Sequence, residues 1–146
     1  TSADMGNAVF VAAMLELPTM AFFSKMSEKI NCGTLIKFSI LMFCVKHALT
    51  YFATNMIMIY LAQVCQMFAY ALFIPASVYY VNEKIALADR VKGQSLVTTS
   101  MTLSGVFANF AGGIMLDALG VGHVLLAGII LSIVGAIIVI LTTEKV

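Results

Sequence analysis

Val124 to Thr142 reads VLLAGIILSIVGAIIVILT, nineteen residues without a charge. As a helix rising 1.5 Å per residue it would cover roughly 30 Å, the hydrocarbon thickness of a bilayer. The rest of the chain shares its character. Of 146 residues, 62% are hydrophobic and only 10% are charged, and mean hydropathy is +1.03. A soluble globular protein carries roughly 25% charged residues. This chain cannot cover a water-facing surface with polar groups, so bilayer is the solvent that fits. At about 20 residues per span, the length accommodates five spans with short loops and would crowd six.

Outward from that run, four more apolar stretches appear, at about residues 6–24, 35–53, 56–81 and 93–116. Polar segments separate them: Lys25 to Gly33, the short link Thr54-Asn55, the longer Asn82 to Lys92, and the Gly-containing turn Asp117 to His123. Pro18 and Pro75 fall inside apolar runs, which membrane helices tolerate because neighbouring groups re-satisfy the freed carbonyl. The expected fold class is an all-α membrane protein, a polytopic bundle of five transmembrane helices. Gly128, Ser132 and Ala136 recur every four residues in the fifth run, a small-residue stripe that lets helices approach closely.

Basic residues set the orientation. Lys25, Lys29 and Lys37 surround the first loop, Lys84, Arg90 and Lys92 the third, and Lys145 follows the last span. Residues 1–5, 54–55 and 117–123 contain no Lys or Arg. The positive-inside rule then places the basic segments and the C-terminus in the cytoplasm. Tyr79-Tyr80 and Tyr51-Phe52 fall where interfacial aromatic belts are expected. The chain starts Thr-Ser-Ala-Asp, with no initiator Met and no basic lead into its first apolar run. It reads as a piece of a longer chain, without a signal peptide.

Charges inside spans are the informative class, because they usually face a bundle interior or a water-filled cavity. There are two. Glu16 interrupts the first run and Lys46 the second, both expected near mid-depth and within reach of each other. They could form a buried ion pair that fixes packing, or a site for substrate or protons. His47 neighbours Lys46 and is either a proton relay or a hydrogen-bonded helix residue. Gln63, Gln66, Tyr70 and Ser77 share one face of the third span. Thr98, Thr102, Gly105, Asn109 and Gly113 follow at helical spacing in the fourth. Such stripes either hold helices together or line a cavity for a polar solute.

Several function classes are excluded or weakened. A net charge of +1 offers no basic face for nucleic acid. Cys32, Cys44 and Cys65 show no paired spacing, so neither a disulfide framework nor a metal site is suggested. No Ser/His/Asp grouping, HExxH or phosphate-binding Gly loop is present, which argues against an enzyme and against any cofactor.

Four motifs add a family resemblance. Glu16-Leu17-Pro18 precedes a basic loop, and Lys46 is the single basic residue of the second span. Pro75-Ala-Ser77-Val-Tyr79-Tyr80-Val-Asn82-Glu83 leads to Arg90-Val-Lys92-Gly93-Gln94. The fourth run exits through Gly112-Gly113-Ile-Met-Leu116-Asp117-Ala-Leu-Gly120. Over essentially the whole length, the chain resembles the last five helices of the C-terminal half of a major facilitator superfamily transporter. It is most similar to the branch containing lactose permease and the related oligosaccharide, nucleoside and phenylpropionate proton symporters. The resemblance implies that the N-terminal half of the same chain is missing here, and that Glu16 belongs to the substrate and proton-coupling site with Lys46 tuning it. It also implies that Arg90, Gly93 and Gln94 form a cytoplasmic loop motif. In that branch the tenth helix carries a His and a Glu that serve coupling. The matching positions here are Gln66 and Ala69, which leaves Glu16 as the only carboxylate within these spans. Ser24 to Gly33 is only loosely similar to the superfamily's Gly-x-x-x-Asp-Arg loop.

The function expected is secondary active transport of a small polar organic solute (sugar-, nucleoside- or aromatic-acid-like) by alternating access, coupled to protons. The protein would be a multi-pass component of the cell membrane. Glu16, Lys46, Gln63, Gln66, Tyr70, Thr102 and Asn109 are the residues expected to face the cavity. The rivals are a transport-inactive sensor or scaffold on the same fold, and a membrane enzyme.

Overall fold

The computed structural model describes residues 2–144, with side chains described for 6, 7 and 9–144. Thr1, Lys145 and Val146 lie outside the described residues. The basic charge expected at Lys145 and the side chains at the opposite end, residues 1–5, are therefore not placed. Five long helices form the molecule: α1 (Ser2–Ser27), α2 (Cys32–Tyr51), α3 (Met56–Lys84), α4 (Arg90–Leu119) and α5 (Val121–Thr142). All five are long and apolar enough to cross a membrane, and no strand occurs among the described residues.

The helices overrun the apolar stretches at most ends, so the connections are shorter than the sequence suggested. The loop expected from Asn82 to Lys92 shrinks to residues 85–89, a 3-10 turn at Leu87–Asp89 included. The turn expected from Asp117 to His123 contracts to Gly120 alone. Gly120 takes a φ of 81°, which a residue without a β-carbon adopts at little cost. His123 Nδ1 lies 2.8 Å from the Leu119 carbonyl oxygen and helps finish α4. Two asparagines open helices: the Asn31 side chain accepts from the Gly33 N–H, and Asn55 accepts from Met58 N–H, each at 3.0 Å. The backbone stays helical through Pro18 and Pro75.

Small side chains place α3 at the centre. Ala62, Ala69, Ala71 and Ala76 are buried along it, and the close approach they allow seats α2 along most of its length and α1 on another side. Consecutive in sequence, α1 and α2 barely touch, because α3 lies between them. Phe23, Leu35, Ile36, Leu72 and Ala76 form the core cluster, joining α1, α2 and α3. The small-residue stripe of α5 packs on α2. A β-carbon on Gly128 would stand 3.6 Å from His47 Cδ2, Cys44 Sγ donates to the Ser132 carbonyl at 3.3 Å, and Ala136 is buried. α4 packs lightly against α3 and α5 and buries no residue.

What the bundle exposes is largely hydrocarbon. Leu131, Leu141 and Phe110 are each more than 70% exposed, which suits lipid and would be untenable over so much surface in water. Five helix ends gather at the end of the bundle rich in Lys and Arg. There Lys84 pairs with Glu144, and Glu144 N–H donates to Tyr80 Oη at 3.3 Å. The Glu144 carbonyl also sits against Gly33, where a β-carbon would collide with it. The chain after α5 is thus held against both the end of α3 and the start of α2. The protein is an integral multi-pass, all-α membrane bundle.

Candidate functional site

Glu16, Lys46 and Gln66 come from three different helices and meet in one hydrogen-bonded chain. Lys46 Nζ donates to Gln66 Oε1 at 2.6 Å, and Gln66 Nε2 donates to Glu16 Oε1 at 3.2 Å. Glu16 and Lys46 do not form a direct ion pair. The pairs among the described residues are Lys84–Glu144 and Lys92–Asp89. The two charges line one cavity, within reach of each other as expected, but the buried ion pair that was one of the two readings is not formed. α3 separates α1 from α2, and an amide on α3 fills the space between their charges.

The fold sets this geometry in two steps. Buried Ala62 and Ala69 flank Gln66 along α3 and let α1 and α2 close on it from either side. Because α2 ends at Tyr51, Lys46 stands five residues from its C-terminal end, about 8 Å along the axis. Gln66 is ten residues into α3, about 15 Å from its start, and the lysine stem spans the difference. All three side chains are half-buried. They line a cavity of about 370 Å³ together with Gln63, Val9, Ala12 and Ala13. Ala12 and Ala13 were not singled out from the sequence. Their signal was there, as small residues one turn before Glu16 on the same face, where a larger side chain would fill the cavity.

The polar face of α3 serves two cavities. Its N-terminal half gives Gln63 and Gln66 to the chamber just described. Its C-terminal half gives Tyr70 and Ser77 to a second cavity of about 340 Å³ against α4, with Gln94, Thr98, Met101 and Thr102. Tyr70 and Thr102 therefore do not join Glu16. The Thr98 and Thr102 hydroxyls each donate to the carbonyl four residues earlier, at 3.0 Å, which satisfies them within α4. Asn109 is exposed further along α4 and lines neither cavity.

Arg90, Gly93 and Gln94 form the corner between α3 and α4. Gln94 Nε2 donates to Asn82 Oδ1 at 2.7 Å and Arg90 Nε donates to the Ile85 carbonyl at 3.4 Å. A β-carbon on Gly93 would come within 3.0 Å of Val81 Cγ1 and closer still to Ile85. His47 turns away from the chain of polar groups. Its ring stacks on Phe43, with centroids 6.5 Å apart, and faces Gly128 of α5. Nδ1 is buried, and the neighbour it bonds is the Phe43 carbonyl of its own helix rather than a group on another helix.

Chemically, the arrangement offers an ammonium, a carboxylate and two carboxamides around one small chamber with otherwise aliphatic walls. It can hold a polar solute by hydrogen bonds, and it holds one carboxylate able to take up a proton. Among the described residues no three His, Cys, Asp or Glu side chains gather as a metal centre would require. No curated protein and no solved structure matches the chain. The family model described as Major Facilitator Superfamily matches residues 1–146. With five membrane-spanning helices and a match over its whole length, the chain belongs to the major facilitator superfamily.

Proposed function

We propose that the protein carries a small polar organic solute across the membrane by alternating access, with the Glu16–Gln66–Lys46 chamber as its substrate site and Glu16 as its proton-coupling group. The observation that supports this most is the hydrogen-bonded chain itself. Two opposite charges are kept inside the spans, apart from each other, on the wall of a cavity. A pair retained only for packing would be expected in direct contact, since separating the charges gives up Coulomb attraction without removing the cost of burying them.

In this reading the five helices are five of the six in the C-terminal half of a transporter of the lactose permease type. The basic end faces the cytoplasm of a cell (plasma) membrane. In such folds the substrate site lies between two halves that rock against each other. Protonation of Glu16 neutralises the one carboxylate of the chamber and changes its balance with Lys46, which ties movement of the site to uptake of a proton. Without the acidic residue that its relatives carry on the tenth helix, Glu16 performs coupling alone.

The decisive experiment is Glu16→Gln in the full-length protein reconstituted in vesicles. It should abolish accumulation driven by a pH gradient and spare exchange of solute for solute. Unchanged accumulation sinks the coupling role. Absent flux from correctly inserted wild-type protein would instead support the sensor or scaffold alternative.

A further inference from the structure

The group between Lys46 and Glu16 is an amide, and that identity limits what can take its place. Gln66 offers an acceptor to the ammonium at 2.6 Å and a donor to the carboxylate at 3.2 Å. Apart from Gln63, the remaining wall of the chamber is Val9, Ala12 and Ala13, which can satisfy neither charge. While Glu16 is ionised, the state that receives the solute before the proton, the chamber's formal charges sum to zero, one ammonium against one carboxylate. A solute bringing a net charge would find a like charge within reach. An anion drawn to Lys46 also meets Glu16, and a cation drawn to Glu16 also meets Lys46, so neither gains what a net-neutral solute with both groups gains. An apolar solute that pushed Gln66 aside would leave both charged groups without partners, which is more costly still.

We propose, resting on the reading of this chamber as the substrate site, that the substrate replaces the Gln66 amide between Lys46 and Glu16. The substrate is then a net-neutral solute with an acceptor and a donor side by side, as in a carboxamide or a zwitterionic amino acid. Gln66 is a positioning residue. Between transport events it satisfies both charges and prevents them from collapsing into a direct ion pair, which would have to be broken before each round. The substrate exchanges one set of charge-assisted hydrogen bonds for another, so entry is not opposed by stripping either charge bare.

The test uses the full-length protein in nanodiscs and the variant Gln66→Ala, which removes the bridging amide and leaves room for a free one. Acetamide and glycine are the net-neutral probes. Acetate and methylammonium are charged probes of similar size. Acetamide, glycine or both should raise the unfolding temperature saturably, by a few degrees in Gln66→Ala, where the gap stands open, and by less in wild type, where the probe must displace the Gln66 amide. A response to glycine indicates a zwitterionic substrate, and a response to acetamide alone indicates a carboxamide. Gln66→Ser serves the same purpose where Gln66→Ala fails to fold, and Gln66→Leu, which refills the space with carbon, should not respond. Acetate or methylammonium stabilising the variant as well as the neutral probes overturns the proposal. So does failure of both neutral probes, or an equal response in Gln66→Leu. The outcome is independent of flux. Accumulation that survives Glu16→Gln removes the coupling role, whereas an acetate response with Glu16-dependent accumulation removes only the substrate class.

Discussion

Lys46 Nζ has one hydrogen-bond acceptor among the described residues, the Gln66 side-chain carbonyl at 2.6 Å. A charge-assisted bond of this length is stronger than the neutral side-chain bonds of membrane helices, which average about 0.6 kcal/mol and reach about 1.7. A double-mutant cycle of Lys46→Met and Gln66→Leu should therefore give a coupling energy near the top of that range, about 1.5 kcal/mol. Lys46→Met alone should cost more than the double variant relative to Gln66→Leu, because it leaves the Gln66 carbonyl unpaired. Reversible unfolding in mixed micelles measures all four corners, and a coupling near zero would show that the contact does not hold the helices together.

The close approach of α4 to α3 depends on Gly93. With Val81 and Ile85 crowding the position, Gly93→Ala should destabilise the protein by about 1 kcal/mol, the low end of the range for overpacking, because the Ile85 contact is with the movable end of its side chain. The removal of crowding at Ile85 offers an internal control. Ile85→Ala in the Gly93→Ala background should recover much of the loss, whereas a lack of recovery would place the strain at the Val81 contact, which is backbone-near and stiffer.

How much of this was legible in the sequence depends on the kind of interaction. Solvent, helix number and the two intramembrane charges follow from composition and hydrophobic runs, which are properties of single segments. Gln66 was legible as a polar residue on a helix face, but not as the link between Glu16 and Lys46. That role arises because α3 lies between α1 and α2, and helix neighbours are set by packing of distant segments such as Ala62 and Ala69 rather than by chain order. The division of α3's polar face between two cavities has the same origin, since α1 covers one half and α4 the other. Helix ends were misjudged at Asn82 to Lys92 and at Asp117 to His123. Polar residues there were read as loop, yet the backbone satisfies its own hydrogen bonds best by staying helical into the interfacial region.

His47 is the residue whose role the fold changes most. A relay would need a partner on another helix, but the ring stacks on Phe43 and packs against Gly128, with the Phe43 carbonyl of its own helix as the neighbour it bonds. His47→Phe keeps a stacking ring of similar size and gives up only that local bond, so stability should change by less than about 1.5 kcal/mol, the net worth of one hydrogen bond. Thermal unfolding tests this, and a variant with lower stability and impaired flux would restore a functional role.

Gly120 is the one position with positive φ among the described residues, and its φ of 81° with ψ of 172° falls in a region that essentially only glycine occupies. A β-carbon in that region costs of order 1–3 kcal/mol. Gly120→Ala should lower stability by about that amount and alter the angle between α4 and α5, while Gly122→Ala, in open space two residues on, should be nearly neutral. Equal effects of the two substitutions would show that backbone conformation at the joint is not the cause.

The contact of Glu144 with Lys84 gives the basic end of the bundle a pH dependence of known sign. The hydrogen bond from Lys84, reinforced by its positive charge, holds the Glu144 carboxyl below the usual carboxylate range. A group with a lowered folded pKa stabilises the folded arrangement above its ordinary pKa, and that contribution is lost as pH falls through the lowered value. The segment 143–144 should therefore stay against α3 at neutral pH and loosen only in acid, below the ordinary titration of a free glutamate. Both groups are exposed, so the effect on global stability will be small and local opening is the better readout. A spin label at Thr143, paired with one on α2 near Gly33, should report a single short distance at neutral pH and a broadened distribution in acid. Glu144→Gln should remove the pH dependence by eliminating the titrating group. Gly33→Ala should instead broaden the distribution at every pH, because its β-carbon displaces the Glu144 carbonyl whatever the charge on the side chain. An acid transition that persists in Glu144→Gln would assign the opening to another group.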